Sequence, residues 1–99
     1  MKLTRTQEIF AKGALQRGSV FLLSPPDAMR FVDECEREGV DILGIEGFKV
    51  FGEKIQPFQE HSCDLYGQNA NSHAIAKVFI QERCGSDIWF EVGTSEESS

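Results

Sequence analysis

The sequence predicts an α+β fold, in which a mostly antiparallel sheet of about four strands carries two helices on one face. Two amphipathic helical segments, 24–39 and 72–85, alternate with short strand-like segments. The order strand, helix, strand, strand, helix, strand is that of a split βαβ layer, with an antiparallel meander as the alternative. With 99 residues, we expect one domain over 20–93, preceded by a helical extension over 1–19 and followed by a disordered tail over 94–99.

The extension is predicted to form a helix over residues 3–17. Thr4 is a suitable N-cap, with Gln7 at the matching capping-box position, although Gly13 weakens the helix. Its four basic residues would suit RNA or a membrane surface, but they are few for an electrostatic binding surface. We therefore interpret it as a packing arm, which ends at Gly18 before a short strand over 20–23.

The segment 24–39 predicts the helix around which the domain is organised. Ser24 is a candidate N-cap paired with Asp27, and Pro25 suits the first helical position, where an N–H is not needed. One face is apolar, and it comprises Ala28, Phe31, Val32 and Cys35. Gly39 ends the helix, and we expect Val40–Ile45 to be a strand near the middle of the sheet.

The middle of the chain predicts two further strands, 48–51 and 55–58, joined by a turn. Pro57 cannot donate a hydrogen bond to a neighbouring strand, so the second strand is expected at an edge or in a loop. Residues 59–66 are expected to continue as an exposed, irregular strand, and 67–71 as a loop.

The second helix is predicted to begin after Asn71 or Ser72, to present Ile75, Val78 and Phe79 on one face, and to end at Gly85. The last strand, 87–92, alternates with a period of two. Ile88, Phe90 and Val92 would point one way, and Trp89 and Glu91 the other.

The charge of the chain is strongly acidic and unevenly distributed. The formal net charge is −6, and residues 1–18 are net basic, so the rest of the chain carries −9. Such a surface repels nucleic acid and anionic membranes, and it attracts basic partners or simply keeps the chain soluble.

The chain lacks the patterns of exported and membrane proteins. The longest apolar run, Val20–Leu23, is too short to span a bilayer, and no signal-peptide pattern opens the sequence. Three cysteines without a CxxC pattern favour a reducing compartment. We therefore expect the protein to be located in the cytoplasm.

No pattern of residues indicates an enzyme, a metal or a cofactor. A zinc site would need the histidines and cysteines to converge, but His73 and Cys84 lie at opposite ends of a predicted helix, about 16 Å apart. No thiol has a clear electropositive setting, and Gly44 and Gly47 do not lead from a strand into a helix as a phosphate-binding loop does. We expect a binding protein with no metal and no cofactor.

Two blocks of the sequence resemble a known family. The first block is Leu23-Ser24-Pro25, Ala28, Glu34, Gly39 and Ile42–Gly47 in one ungapped frame; the second is Ala74-Ile75, a helix ending at Gly85 and a closing strand over 88–92. Together they resemble the immunity protein of the anticodon-cleaving E-group colicin, type five. The resemblance covers about seventy residues of the helix-and-strand pattern.

This resemblance implies a non-enzymatic inhibitor that binds the active site of a cytotoxic tRNA-cleaving ribonuclease, a basic protein partner. It also implies that Glu46, an acidic position in the family, contacts the nuclease. The candidate binding residues, either phosphate mimics or aromatic anchors, are Glu46, Glu53, Glu60, Asp64, Tyr66, Trp89 and Glu91. Trp89 is either an exposed anchor or packed beneath the extension or the long loop. The rival hypotheses are a small acidic regulatory or ligand-binding module and, third, a metal-dependent enzyme.

Overall fold

An antiparallel sheet of three strands forms the centre of the described fold, and the predicted α+β class is confirmed. The computed structural model describes residues 3–68, 71–85 and 87–96. In chain order, its elements are α1 (Arg5–Phe10), a 3-10 turn (Ala11–Gly13), β1 (Leu15–Arg17), β2 (Val20–Leu22), α2 (Pro25–Glu38), β3 (Ile42–Phe51), β4 (Lys54–Asp64), α3 (Ser72–Gln81) and β5 (Trp89–Thr94).

The strand order of the central sheet is β4-β3-β5, and each neighbouring pair is antiparallel. The hairpin of β1 and β2 adjoins this sheet through a single bridge between Leu23 and Phe90, whose two backbone hydrogen bonds measure 2.7 and 2.8 Å. Within the described residues, β4 is therefore an edge strand. This confirms the position predicted from Pro57, since a residue without an N–H is tolerated at an edge.

The helices α2 and α3 pack against one face of the sheet. The residues of this core are fully or almost fully buried, and they include Ala28, Phe31, Val32 and Cys35 of α2, Ala76 and Ile80 of α3, and Ile42, Ile45, Phe90 and Val92 of the sheet. The period-two prediction for β5 is confirmed, because Ile88, Phe90 and Val92 are buried in this core whereas Trp89 and Glu91 lie on the opposite face, half-buried.

Both ends of α2 lie where the sequence predicted them, but the N-cap differs. Pro25 occupies the first turn, and Gly39 ends the helix in a left-handed conformation with φ of 72°. The side chain of Ser24, however, makes no capping hydrogen bond. Pro25 and Pro26 have no N–H to donate, and Asp27 pairs with Arg30 instead of returning to the cap. The predicted capping box is therefore wrong.

The prediction of one helix over residues 3–17 is also wrong. The capping box of Thr4 and Gln7 is present, but α1 ends at Phe10, and Leu15–Arg17 forms a strand paired with Val20–Leu22. Gly18 adopts φ of 61° in the tight turn between them, which is a conformation that favours glycine. The ring of Phe10 lies 5.6 Å from that of Phe31, so the extension packs on α2.

The two strands predicted over 40–45 and 48–51 are one continuous strand. β3 runs from Ile42 to Phe51 through both Gly44 and Gly47. These glycines do not interrupt the strand; each lies where another segment of backbone comes close, as described for the groove below.

The face predicted for α3 is partly correct. Ile75 and Phe79 are half-buried and pack against the core, but Val78 is exposed, and the fully buried residues are Ser72, Ala76 and Ile80. Small residues at this spacing let the helix approach the sheet closely, and the Ser72 hydroxyl accepts a hydrogen bond from the Ile42 N–H at 3.3 Å. Asn71 precedes the helix without a side-chain cap, and the helix ends at Gln81, before Gly85.

The described C-terminus is ordered beyond the boundary expected for the tail. Thr94 belongs to β5, and the N–H of Ser95 donates to the carbonyl of Asp41 at 3.0 Å. A carboxylate oxygen of Glu96 accepts from the N–H of Thr6 at 3.1 Å. This contact ties the C-terminus to the start of α1, and residues 97–99 of the expected tail lie outside the described residues.

Candidate partner-binding groove

Two carboxylates face each other on the side of the sheet opposite the helices. Glu46 of β3 and Glu91 of β5 are direct cross-strand partners. Their neighbours in the register, Ile45 and Val92, belong to the core under the helices. Since side chains alternate along a strand, both carboxylates project to the open face, with Cβ atoms about 5 Å apart.

Two residues along from this pair, the same face of the sheet carries glycine on both strands. Gly44 and Gly93 are also direct cross-strand partners, and they line an open groove of ≈ 550 Å³ together with Glu46 and Glu91. A Cβ atom on Gly44 would lie 3.3 Å from the carbonyl oxygen of Cys63, a close contact. The floor of the groove is therefore peptide backbone, and we call it the glycine floor.

The other side of the groove comes from β4 and the turn that follows it. Asp64 and Tyr66 both line the groove, and Tyr66 is 72% exposed. A carboxylate oxygen of Asp64 accepts a hydrogen bond from the Tyr66 N–H at 3.0 Å, which fixes the turn. Since Asp64 is the cross-strand partner of Gly44, an acid and an aromatic ring border the glycine floor on its β4 side.

A bulge in β4 shapes this side. Glu46 pairs with Ser62, but the next residue, Gly47, pairs with Phe58, so residues 59–61 loop out of the ladder. A Cβ atom on Gly47 would lie 2.5 Å from the Cβ of His61, closer than atoms can approach. Glycine at position 47 is therefore what admits the bulge.

Arg83, two residues beyond the end of α3, holds the bulge in place. Its Nε donates to Nδ1 of His61 at 3.1 Å, and its terminal nitrogens donate to the carbonyls of Phe79 and Glu60 at 3.0 and 3.3 Å. The guanidinium also stacks over the Phe79 ring at 3.8 Å. This anchoring fixes the segment from which Gln59 and Ser62 reach the groove.

The acids of the groove differ electrostatically from several acids on and beside the helices. Within the described residues, none of Glu46, Asp64 and Glu91 forms a salt bridge, whereas Asp27, Asp33, Glu34, Glu36 and Glu82 each have a basic partner. The pKa of Glu91 is raised by burial and, secondarily, by the charge of Glu46, while the Phe21 N–H acts in the opposite direction. The groove thus concentrates negative charge that the described fold leaves uncompensated.

The structure brings together four of the seven predicted binding residues, Glu46, Asp64, Tyr66 and Glu91, as lining of the groove. Trp89 lies two residues before Glu91 on the same face of β5, opposite Phe48 in the register, and is half-buried. It is therefore neither a fully exposed anchor nor sealed inside.

The remaining two predicted residues lie apart from the groove. Glu53, in the β3–β4 turn, lines a different depression together with Arg17. Glu60 lies exposed in the bulge and does not line the groove. Neither the glycine floor nor Arg83 was predicted from the sequence, although glycine inside a strand is itself a signal of close backbone approach.

The histidines and thiols make other contacts. Nε2 of His73 lies 2.6 Å from the carbonyl oxygen of Val40, and His61 accepts from Arg83. Burial raises the pKa of Cys35 to about 12 and also raises the pKa of Cys63. Over residues 3–68, 71–85 and 87–96, no group of three or more His, Cys, Asp or Glu side chains is arranged to hold a metal ion.

Comparison with known proteins adds no family assignment. No family model matches the chain, and no curated protein is significantly similar to it. In the part of the chain that the structure describes, no helix has both the length and the apolar character needed to cross a membrane.

Proposed function

We propose that this chain is an immunity protein, which binds and blocks the active site of a cytotoxic tRNA-cleaving ribonuclease. The observation that carries the proposal is the groove, in which three carboxylates without a basic partner among the described residues surround a backbone floor. The sequence resemblance agrees with it, since Glu46, the acid that the family shares, lies in this groove.

The chemistry of the target explains why such a groove would inhibit it. A ribonuclease that recognises an anticodon must offer cations to the phosphates and flat surfaces to the bases. Carboxylates at Glu46, Asp64 and Glu91 can take the place of phosphates, and the exposed ring of Tyr66 can take the place of a base. The inhibitor then occupies the cleft that RNA would occupy, and it does so without a cofactor or chemistry of its own.

Charge also favours rapid binding. The acidic surface meets a basic cleft, and complementary charge raises association rates to about 10⁸–10⁹ M⁻¹s⁻¹ at low salt. Rapid capture matters because each free nuclease molecule cleaves many tRNAs. Protection of this kind places the protein in the cytoplasm with its target, and it predicts an association rate that falls steeply with added salt.

The test uses tRNA-cleaving nuclease domains of bacteriocins, taking first any that is encoded next to this chain, and it measures inhibition of tRNA cleavage together with growth rescue on co-expression. We expect the wild-type chain to inhibit at equimolar concentration. Glu46→Ala should inhibit poorly, whereas Glu36→Gln, which removes one charge from the exposed side of α2, should inhibit normally. Unimpaired tRNA cleavage in the presence of excess wild-type chain would refute the proposal.

A second candidate function is a small ligand-binding module, favoured by the groove volume of ≈ 550 Å³, which lies within the range of small-molecule sites. Such a module would bind a small cationic metabolite rather than a protein. A thermal-shift screen of polyamines and cationic amino acids distinguishes the two functions. The ligand-binding module requires that one of these compounds stabilise the free chain at micromolar concentration.

A further inference from the structure

The shape of the groove restricts which cation fits it. Gly44 and Gly93 lie side by side in neighbouring strands, so their exposed peptide groups form a flat surface. Glu46 and Glu91 lie two residues further along the same strands, on the same face of the sheet and again side by side. A flat group that donates several hydrogen bonds in its own plane could lie on the floor and reach both carboxylates.

A guanidinium meets these requirements better than other cations do. It is planar, weakly hydrated, and carries five N–H donors that match carboxylates in pairs, and it stacks on aromatic rings such as that of Tyr66. An ammonium is compact and strongly hydrated, and it gains little from a flat floor. A divalent metal is disfavoured as well, because the described residues offer no three-ligand group.

We propose that the groove binds an arginine side chain presented by the nuclease, with its guanidinium on the Gly44–Gly93 floor and hydrogen-bonded to Glu46 and Glu91. This inference rests on the proposed function, because it identifies the partner group that enters the same site. The open sheet face has charge complementary to a basic protein, and none of its three groove carboxylates forms a salt bridge within the described residues.

The groove can be tested without the nuclease. The ¹⁵N-labelled protein is titrated with N-acetylarginine amide and, at the same ionic strength, with N-acetyllysine amide, which carries the same charge. We expect the arginine compound to shift the amide signals of Gly44 and Gly93, with shifts about threefold larger than those from the lysine compound. Equal shifts from both compounds, or shifts spread over the acids of the helices, would overturn the proposal.

Two variants separate the contribution of the glycine floor to binding from the contribution of the carboxylates. Glu91→Gln removes one carboxylate, and Gly93→Ala fills the floor while leaving every carboxylate in place. A Cβ atom at position 93 meets nothing closer than 3.7 Å, so the fold should accept it. Both variants should lose most of the arginine-dependent shift, and Glu36→Gln should keep it. Retention of the full shift by Gly93→Ala would overturn the role of the floor.

The outcome is independent of the test for the proposed function. If the nuclease is inhibited but the arginine compound does not bind preferentially at the groove, the immunity function is supported and the arginine site is refuted. If the arginine compound binds the groove but the nuclease is not inhibited, the guanidinium site is supported and the immunity function is refuted.

Discussion

Glu46 and Glu91 occupy directly opposed positions on adjacent strands, so their carboxylates repel each other across β3 and β5. Like charges at opposed positions destabilise a sheet, and among the described residues no basic side chain bridges the pair. The pair therefore costs stability in the free protein. A cationic partner would relieve this repulsion on binding, which is why we assign the pair to recognition rather than to folding.

Glu91→Gln should stabilise the free protein at neutral pH. The folded-state pKa of Glu91 is raised, so its ionisation favours the unfolded state, and the penalty grows as pH rises through that pKa. We expect a gain of about 0.5 kcal/mol at pH 7, because the variant removes a half-buried charge and its repulsion with Glu46, and no gain at pH 3, where the carboxyl is protonated in both states. Urea unfolding at the two pH values measures this, and a less stable variant at pH 7 would be inconsistent with the assigned repulsion.

Two glycine substitutions should differ sharply in cost. Gly47→Ala would place a Cβ atom 2.5 Å from that of His61 and 2.8 Å from its carbonyl oxygen, so the bulge must move. We expect a loss of about 2 kcal/mol. Gly93→Ala, whose nearest contact is 3.7 Å, should be close to neutral. The denaturant midpoints of unfolding of the two variants are compared. Similar midpoints would show that His61 does not pack closely against Gly47.

Arg83→Lys should loosen the bulge although the positive charge is kept. A lysine cannot reproduce the planar set of bonds to His61, Phe79 and Glu60. We expect faster hydrogen exchange at residues 59–62 and a stability loss of about 1–2 kcal/mol. Amide exchange followed by NMR tests this, with the core of β3 and β5 as the internal control. Unchanged exchange in the bulge would mean that Arg83 is not its anchor.

Glu96→Ala should release the C-terminal contact with α1. Burial works against the charged form of Glu96, but hydrogen bonds from Thr6 and Thr4 outweigh it and lower the pKa. The contribution of Glu96 is therefore present above its unfolded-state pKa and is lost as the pH falls through the folded-state pKa. We expect a loss of up to about 1 kcal/mol at pH 7 that disappears in acid. Equal losses at pH 7 and at pH 3 would contradict this assignment.

Local signals predicted the elements that depend on local interactions. Pro25 and Gly39 mark the ends of α2, and the alternation over 88–92 gives the two faces of β5 correctly. The prediction of one helix over residues 3–17 failed because strand pairing replaces the second half of that helix. In this pairing, Leu15 lies opposite Leu22 across a turn at Gly18. Tertiary context outweighs propensity in so short a helix.

The candidate site was predicted in its residues but not in its geometry. Glutamates and an aromatic residue could be proposed from charge, exposure and resemblance. The opposition of Glu46 to Glu91 depends on the register of two strands far apart in sequence, which no local pattern encodes. The glycine floor was missed for the same reason, because Gly44 meets Gly93 only after β3 and β5 have paired.

The central claim is that the paired carboxylates of the groove bind the nuclease. Its most direct test is the Kd for the tRNA-cleaving nuclease domain that the wild-type chain inhibits, measured at fixed salt for the wild type, for the double variant Glu46→Ala/Glu91→Ala, and for Glu36→Gln. Loss of two buried charge pairs at an interface predicts a Kd increase of about 100-fold or more for the double variant, with little change for Glu36→Gln. A double variant that binds within a few-fold of the wild type would contradict the claim.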